Sequence, residues 1–480
     1  MQDSILIKHS LLFTMQDDGL GVQEDGAVYV EGNSIGYVGP TEDVSLNKLD
    51  PDTVIDGKNK KAVLPGFIDG HLHSSETLIK GLAQDVPENE WMHKTIDPFS
   101  TKMTEQNLIQ GTKLSVLEGI HNGTTTFTDY GYPIRPLIEN VYLPLKLRMV
   151  AVPNINAMPQ QRDDLEAGVQ YSFDRERGSR LFEEAISLIN QYDGAGDERI
   201  QCMIGPQCAD MVPLKLLKEI FDFAEEENLM VHMHVAQGDR ERQQMNQRYN
   251  QSTVGFLKDN DFLSGGLLAA HCHGATEEEL GILARSGTKM VSCQSSIAMI
   301  DGMVPPLAEY LRMGGEAALG TDQAAGNNNQ SILAELKVAA LLNKVRDENP
   351  TSLKAWQVLR LATIDGARAL GIDDLVGSIE EGKRADLVVF DLQNPTLTPK
   401  ITNPLRNIAH NIVYAARGNE IEMVLIDGNV VKKGSNITIL DEDDILCGAQ
   451  KAAEEVVEKG AEEYLTSNSE MVRDFRDGKF

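Results

Sequence analysis

The residues of this chain that can do chemistry are few and regularly spaced. In PGFIDGHLH, His71 and His73 stand two residues apart directly after an apolar run. Residues two apart on an extended strand point to one side, so both imidazoles can reach one ion. His232 and His234 repeat the spacing in MVHMHVAQ, His271 ends LLAAH, and Asp322 falls at the end of EAALGTDQ. His71, His73, His234 and Asp322 are the expected ligands of one divalent metal, Zn2+ first, with Fe2+ or Mn2+ also suited to three imidazoles and a carboxylate. A metal held there lowers the pKa of a bound water enough to make it a nucleophile near neutral pH. Asp322 would also accept that water's proton, and His271 would orient the water or steady developing charge. His232 reads as a packed strand residue, and His273 as a rim residue or a substrate contact. His121 and His410 have no supporting neighbours and read as structural.

These residues need a frame that brings distant segments together. The apolar runs AVLPGFIDG, GTTTFTDYG, RMVAVPNIN, IQCMIGPQC, MVHMHVAQ, LLAAHC, TKMVSCQS and EAALGTDQ alternate with helix-length segments. Eight buried-type strands so separated predict an α/β fold, a (β/α)8 TIM-like barrel, whose strand ends converge on the rim where active sites lie. A doubly wound open sheet competes, but gives no reason for polar residues at so many strand ends. Residues 1–60 and 375–435 carry short strand patterns broken by Gly, Asn and Asp, as in GAVYVEGNSIGYVG and ADLVVFDL. They are expected to pair into one small β-sandwich, with residues 61–374 as the inserted barrel and 436–480 as an acidic helical tail.

A chain of 480 residues with a net charge of −29 builds a sizeable core and repels phosphate backbones and anionic lipid. Nucleic acid and membrane are therefore excluded as partners. No apolar run is long enough to span a bilayer, and MQDSILIKHS lacks the pattern of a secretory leader,. With five cysteines and no CxxC pair, the expectation is a cytoplasmic protein with reduced thiols.

Taken together, VLPGFIDGHLH, GTTTFTDYG, HMHVAQGDRE, LLAAHC, LGTDQ, ATIDGARALG and GSIEEGKRADLVVFDL resemble the cytosine deaminase, atrazine chlorohydrolase and S-adenosylhomocysteine deaminase branch of the amidohydrolase superfamily. The resemblance runs from about residue 5 to about residue 435. It implies a one-metal barrel, a flanking β-sandwich, and hydrolytic removal of an exocyclic amine, sometimes chloride, from a nitrogen heterocycle. It also implies that His71, His73, His234 and Asp322 hold the metal, with His271 beside the reactive water. Trp91 matches a tryptophan near the family's substrate pocket, and members are often dimers or larger.

Two departures from the pattern bear on the substrate. Relatives carry Glu three residues after the third histidine ligand, where this chain has Gln237. That Glu shuttles a proton to the ring, and a glutamine cannot titrate. Glu76, three residues beyond His73, is the nearest acidic candidate, with a solvent-facing loop glutamate as the alternative. A substrate already cationic, such as a cyclic amidine of the creatinine type, would need less help than a neutral adenosine. In SCQSSI, Ser292 replaces a family histidine, as in atrazine chlorohydrolase-like sequences, which keeps a triazine open. Gln323 and Asn327, on the last strand–helix loop, are candidates to read a ring edge, since loops at that rim set specificity.

The expected function is thus a metal-dependent aminohydrolase of C–N bonds in cyclic amidines. It would take water and a small heterocycle, either a cationic amidine such as creatinine or an aminated pyrimidine or triazine. A chlorohydrolase or N-alkylaminohydrolase of s-triazines and a cyclic amide hydrolase are the alternatives. Two-metal amide hydrolases carry a lysine at the fourth strand end, which IQCMIGPQCAD lacks. A non-catalytic scaffold comes last, because such proteins lose ligands that this chain keeps.

Overall fold

Each of the eight apolar runs contains extended backbone, and within the interior all pair in parallel. The computed structural model describes residues 4–44, 49–86, 90–159 and 169–480. One sheet places Phe67–His73 between Asp322–Gln323 and Thr124–Gly131, then continues through Arg148–Ile155 to Ile200–Cys202 and Gly205–Pro206. A second sheet runs Val231–Val235, Leu267–His271, Lys289–Ser292 and Glu316–Leu319. Parallel bridges from Ile204 to Val231 and from Cys208 to His234 join the two. The result is a mixed α/β fold built on parallel sheets.

The interior between these strands is apolar at depth. Ile68, Tyr130, Val150, Met203, Leu268 and Val291, from six of the eight runs, meet in one buried cluster. The fifth strand contributes no apolar residue there. With Met233 in the core outside the strands, the period of two turns His232 and His234 inward instead. The first strand needs an irregularity to do the same. Its pairing with Thr124–Gly131 shifts register between Asp69 and Leu72, and such shifts re-aim side chains beside active sites. Gly70 sits in this stretch, where a Cβ would come 3.0 Å from Ala318 Cβ and from Val291 Cγ2.

The run AVLPGFIDG, one strand by its pattern, is two. Lys61–Pro65 belongs to another sheet, and the chain enters the parallel sheet at Phe67 after Gly66, where a Cβ would meet Thr125 Oγ1 at 2.1 Å. The other sheet has nine strands drawn from both ends of the chain, in the order Asn436–Ile437, Asn429–Lys433, Ile421–Ile426, Leu387–Asp391, Lys61–Pro65, Ile5–Phe13, Val22–Glu31 and Ser34–Pro40, with Thr53–Asp56 also paired to Ile5–Phe13. The terminal segments do pair with each other, and the small sandwich expected of them is seen as this one continuous sheet.

A buried ion network ties the two parts. Arg148, 3% exposed, opens the third parallel strand and donates to Asp386 Oδ2 and Oδ1 at 2.8 and 3.0 Å, and to Asp427 Oδ1 at 3.3 Å. Arg199 reaches the other oxygen of Asp427 at 3.1 Å. Removing one partner strands the opposite charges in low dielectric, which costs about 3–5 kcal/mol. Arg148→Met is accordingly expected to lower the urea midpoint by that equivalent; an unchanged midpoint would refute the coupling.

The acidic C-terminal segment forms helices Glu442–Thr466 and Glu470–Arg476. Ala449, Ala452 and Val456 of the longer helix pack against Leu78, Ile79, Ile96 and Phe99, and Tyr464 donates to the Leu82 carbonyl at 2.8 Å. Among the described residues, no helix is long and apolar enough to cross a membrane.

Candidate functional site

Strand ends assemble the site. His71 and His73 close Phe67–His73, His234 lies one residue from the end of Val231–Val235, His271 ends Leu267–His271, and Asp322 opens Asp322–Gln323. Their ligand atoms form two overlapping groups, His71 with His73 and His234, and His71 with His271 and Asp322. Within each group the atoms lie within 4.8 Å of one another. His73 Nε2 stands 3.4 Å and His71 Nε2 3.6 Å from Asp322 Oδ1. Ligands about 2.0–2.1 Å from a tetrahedral ion stand roughly 3.3 Å apart, so the spacing suits a metal better than direct hydrogen bonds.

The ring nitrogens on the far side support the same fit. His73 Nδ1 donates to the Tyr130 carbonyl at 2.7 Å, and His234 Nδ1 donates to the Gln207 carbonyl at 2.8 Å. A carbonyl only accepts, so each Nε2 keeps its lone pair, as a metal-bound histidine requires. His71 Nε2 is buried with no hydrogen-bond partner among the described residues, an orphan that a cation would satisfy. Burial favours the neutral form of two of these rings: it pulls His234 down to about 4, assisted by the neighbouring His73, and His71 well below its ordinary value. Neutral imidazoles are the ligand form.

Asp322 is fixed from several directions. Ser296 Oγ donates to its Oδ2 at 2.6 Å, Gln330 Nε2 donates to its carbonyl at 2.9 Å, and Gln323, with its amide nitrogen turned inward, reaches Oδ2 at 2.9 Å. Below, Asp69 accepts from Thr321 N and Oγ1 at 3.0 and 2.5 Å, and burial pushes its carboxyl up to about 7. Asp322 and His271 have φ of 62° and 74°, and Ala236, between His234 and Gln237, has 50°. Left-handed backbone at non-glycine residues costs about 1–3 kcal/mol each and gathers at functional sites. Glu241 secures the last of these turns by accepting from Ala236 N at 3.2 Å and Gln237 N at 2.7 Å.

A cavity of about 1130 Å3 opens over these groups, and His73, His234, His271, Asp322, Glu76 and Gln237 line it. Glu76 follows His73 in the short helix Ser74–Ile79, and burial raises its carboxyl above the ordinary 4.5. No hydrogen bond or ion pair among the described residues engages it. Trp91 and Gln323 also line the cavity; Trp91 begins the π-type turn Trp91–Ile96, and its buried Nε1 has no partner among the described residues. Such turns recur at functional sites.

Four sequence expectations are placed differently. Asn327, a candidate ring reader, is 1% exposed and its amide is committed to the Thr321 carbonyl at 2.8 Å and Glu335 Oε1 at 3.1 Å. Ser292 is fully buried and accepts from Gln294 Nε2 at 2.8 Å. Neither lines the cavity. His232, read as a packing residue, hydrogen-bonds His71 Nδ1 through its Nε2 at 2.8 Å. His273 is buried with Nε2 3.3 Å from Asp301 Oδ2. Sequence reasoning missed Ser296, four residues from Ser292 in a segment it had singled out, along with Tyr130 and Gln207, whose contribution is a backbone carbonyl that no side-chain pattern reveals.

A model of the Amidohydrolase family matches residues 62–431. The 5'-deoxyadenosine deaminase of Methanosarcina acetivorans is 31% identical over 453 residues, covering 94% of this chain and 98% of that protein. The 5-methylthioadenosine/S-adenosylhomocysteine deaminase of Pelotomaculum thermopropionicum is 32% identical, covering 95% and 99%. Among solved structures, an adenosine deaminase from Xanthomonas campestris with bound zinc superposes with a TM-score of 0.85 at 26% identity, covering 94% of this chain and 98% of that one. Atrazine chlorohydrolase TrzN from Arthrobacter aurescens TC1, complexed with zinc, shares the fold with a TM-score of 0.82 at 22% identity, covering 94% and 100%.

Proposed function

The chain belongs to the amidohydrolase family, and from that premise we propose that it is a metal-dependent deaminase releasing the exocyclic amine of a nitrogen heterocycle as ammonia. The observation that carries this reading is the convergence of three histidines, two of which hand their Nδ1 protons to backbone carbonyls, while Asp322 Oδ1 faces His71 and His73 across 3.4–3.6 Å. The parallel strands are taken as a (β/α)8 barrel over residues 61–374, flanked by a sandwich from 1–60 and 375–435, with 436–480 as its helical brace.

In this reading His71, His73, His234 and Asp322 hold one divalent ion, zinc by the chemistry of the donor set. Such an ion activates water as a nucleophile near neutral pH. The residues then manage two protons. One leaves the attacking water for a ring nitrogen, carried by Glu76 in place of the untitratable Gln237. The other passes to Asp322 and on to the departing amine, which leaves as ammonia while the carbon keeps the oxygen as a carbonyl. His271 orients the water, and Gln237, Trp91 and Gln323 contact the ring.

The cavity of about 1130 Å3 exceeds what one small ring fills. That supports an amine of nucleoside size, in line with the names of the relatives, over creatinine or a bare triazine. Purified protein should carry about one metal ion per chain and release ammonia from a 5'-substituted adenosine. A metal-loaded protein inert toward adenosine derivatives, guanine, cytosine, melamine-type triazines and creatinine would overturn the deaminase reading. Gln237→Glu restores a titratable group at the family position. With Glu76 already in that role, it should leave turnover of the 5'-substituted adenosine little improved, and a large gain would show that Glu76 does not already carry the proton.

A further inference from the structure

Two of the three ligand histidines give Nδ1 to a backbone carbonyl, which no substitution at the accepting residue removes. His71 differs. Its Nδ1 faces His232 Nε2 at 2.8 Å, and the two rings meet edge to face at 87° with centroids 4.9 Å apart. His232 Nδ1 in turn faces the Leu268 carbonyl at 3.0 Å. A carbonyl can only accept, so His232 carries its proton on Nδ1. In a neutral ring this leaves Nε2 as an acceptor, and His71 must place its own proton on Nδ1 to meet it. The His71 Nε2 lone pair is then turned toward Asp322, where it is buried and has no hydrogen-bond partner among the described residues. Both histidines are fully buried, so no solvent molecule substitutes for either contact.

We propose that His232 is a positioning residue: it relays the polarity of the Leu268 carbonyl through two imidazoles and so fixes the tautomer and ring orientation in which His71 can bind the metal. This rests on the assignment of His71 as a ligand, and goes beyond it by giving a second, non-ligating histidine a role that packing alone would not require. Removing such an outer partner typically lowers metal affinity about 10- to 100-fold.

The test compares His232→Leu, which keeps bulk without an acceptor, with His232→Gln, whose amide oxygen can take the place of Nε2. Zinc affinity is read by chelator competition on each folded protein. The expected result is a 10- to 100-fold loss for His232→Leu and a largely restored affinity for His232→Gln. Wild-type affinity in His232→Leu, or equal losses in both variants, would overturn the proposal in favour of simple packing. Should a variant fail to fold, two-bond 15N–1H correlations on 15N-histidine-labelled, metal-free wild type decide the matter. His71 and His232 are both expected as Nδ1–H tautomers, and an Nε2–H His71 overturns the relay. Wild type that binds no zinc would instead sink the metal-site reading, while the tautomer measurement still reports on the relay.

Discussion

Asp322→Asn is expected to lower ammonia release by about 10³-fold, within the range that a positioned acid–base group supplies. The loss is equivalent to about 4 kcal/mol of barrier. The carboxylate has two duties in the proposed reaction, and the amide fails at both. It is a poorer ligand opposite His71 and His73, and it cannot take a proton from water. Its placement should survive, because Gln330 holds the backbone carbonyl and Ser296 holds the side-chain oxygen at 2.6 Å, a contact an amide oxygen can still accept. The variant should therefore fold with a near wild-type melting temperature in the metal-free state while losing turnover. Retained activity above a tenth of wild type would remove Asp322 from the chemistry.

Glu76→Gln should cost about 10²-fold in kcat/KM and change the pH profile in a specific way. Burial penalises the charged carboxylate, so Glu76 ionises above the ordinary 4.5,. To carry a proton from water to the ring it must start ionised. Activity is then present above the raised pKa and lost as pH falls through it, which moves the acid limb of the profile upward from the usual carboxylate range. The glutamine variant loses that ionisation and should show a flatter acid limb. An acid limb unchanged between wild type and variant would return the role to another group.

Much of this site was legible in the sequence because the proposed metal ligation at strand ends leaves a local signature. The i, i+2 histidines and the terminal LGTDQ need only the period of a strand to be interpreted. The same period is blind to depth. His232 and His234 share one spacing and one inward face, yet the deeper ring meets His71 and only the shallower one lines the cavity. Ser292 and Ser296 are separated by a strand-to-helix junction, and only the three-dimensional path of that junction sets Ser296, not Ser292, against Asp322. Asn327 ends the short helix Ala324–Asn327, where its amide is held by the Thr321 carbonyl and Glu335 instead of facing the cavity. The fold's parallel strands were readable from apolar runs; the break at Gly66 was hidden because both halves of AVLPGFIDG are equally apolar, and what separates them is the partner each one pairs with.

That break sets the order in which the protein can be assembled. Lys61–Pro65, one residue ahead of the strand bearing His71 and His73, is hydrogen-bonded between Ile5–Phe13 and Leu387–Asp391. A ribosome releases the amino-terminal part first, so the anchor of the first ligand strand waits for a partner made roughly 300 residues later. Such long-range pairing is closed late, after its loop entropy has been overcome. On the proposed ligand set, the site is therefore finished near the end of synthesis, and metal capture would act as a check on a completed sheet. Nascent chains arrested before residue 387 should keep no zinc after a chelator wash, while released full-length protein should.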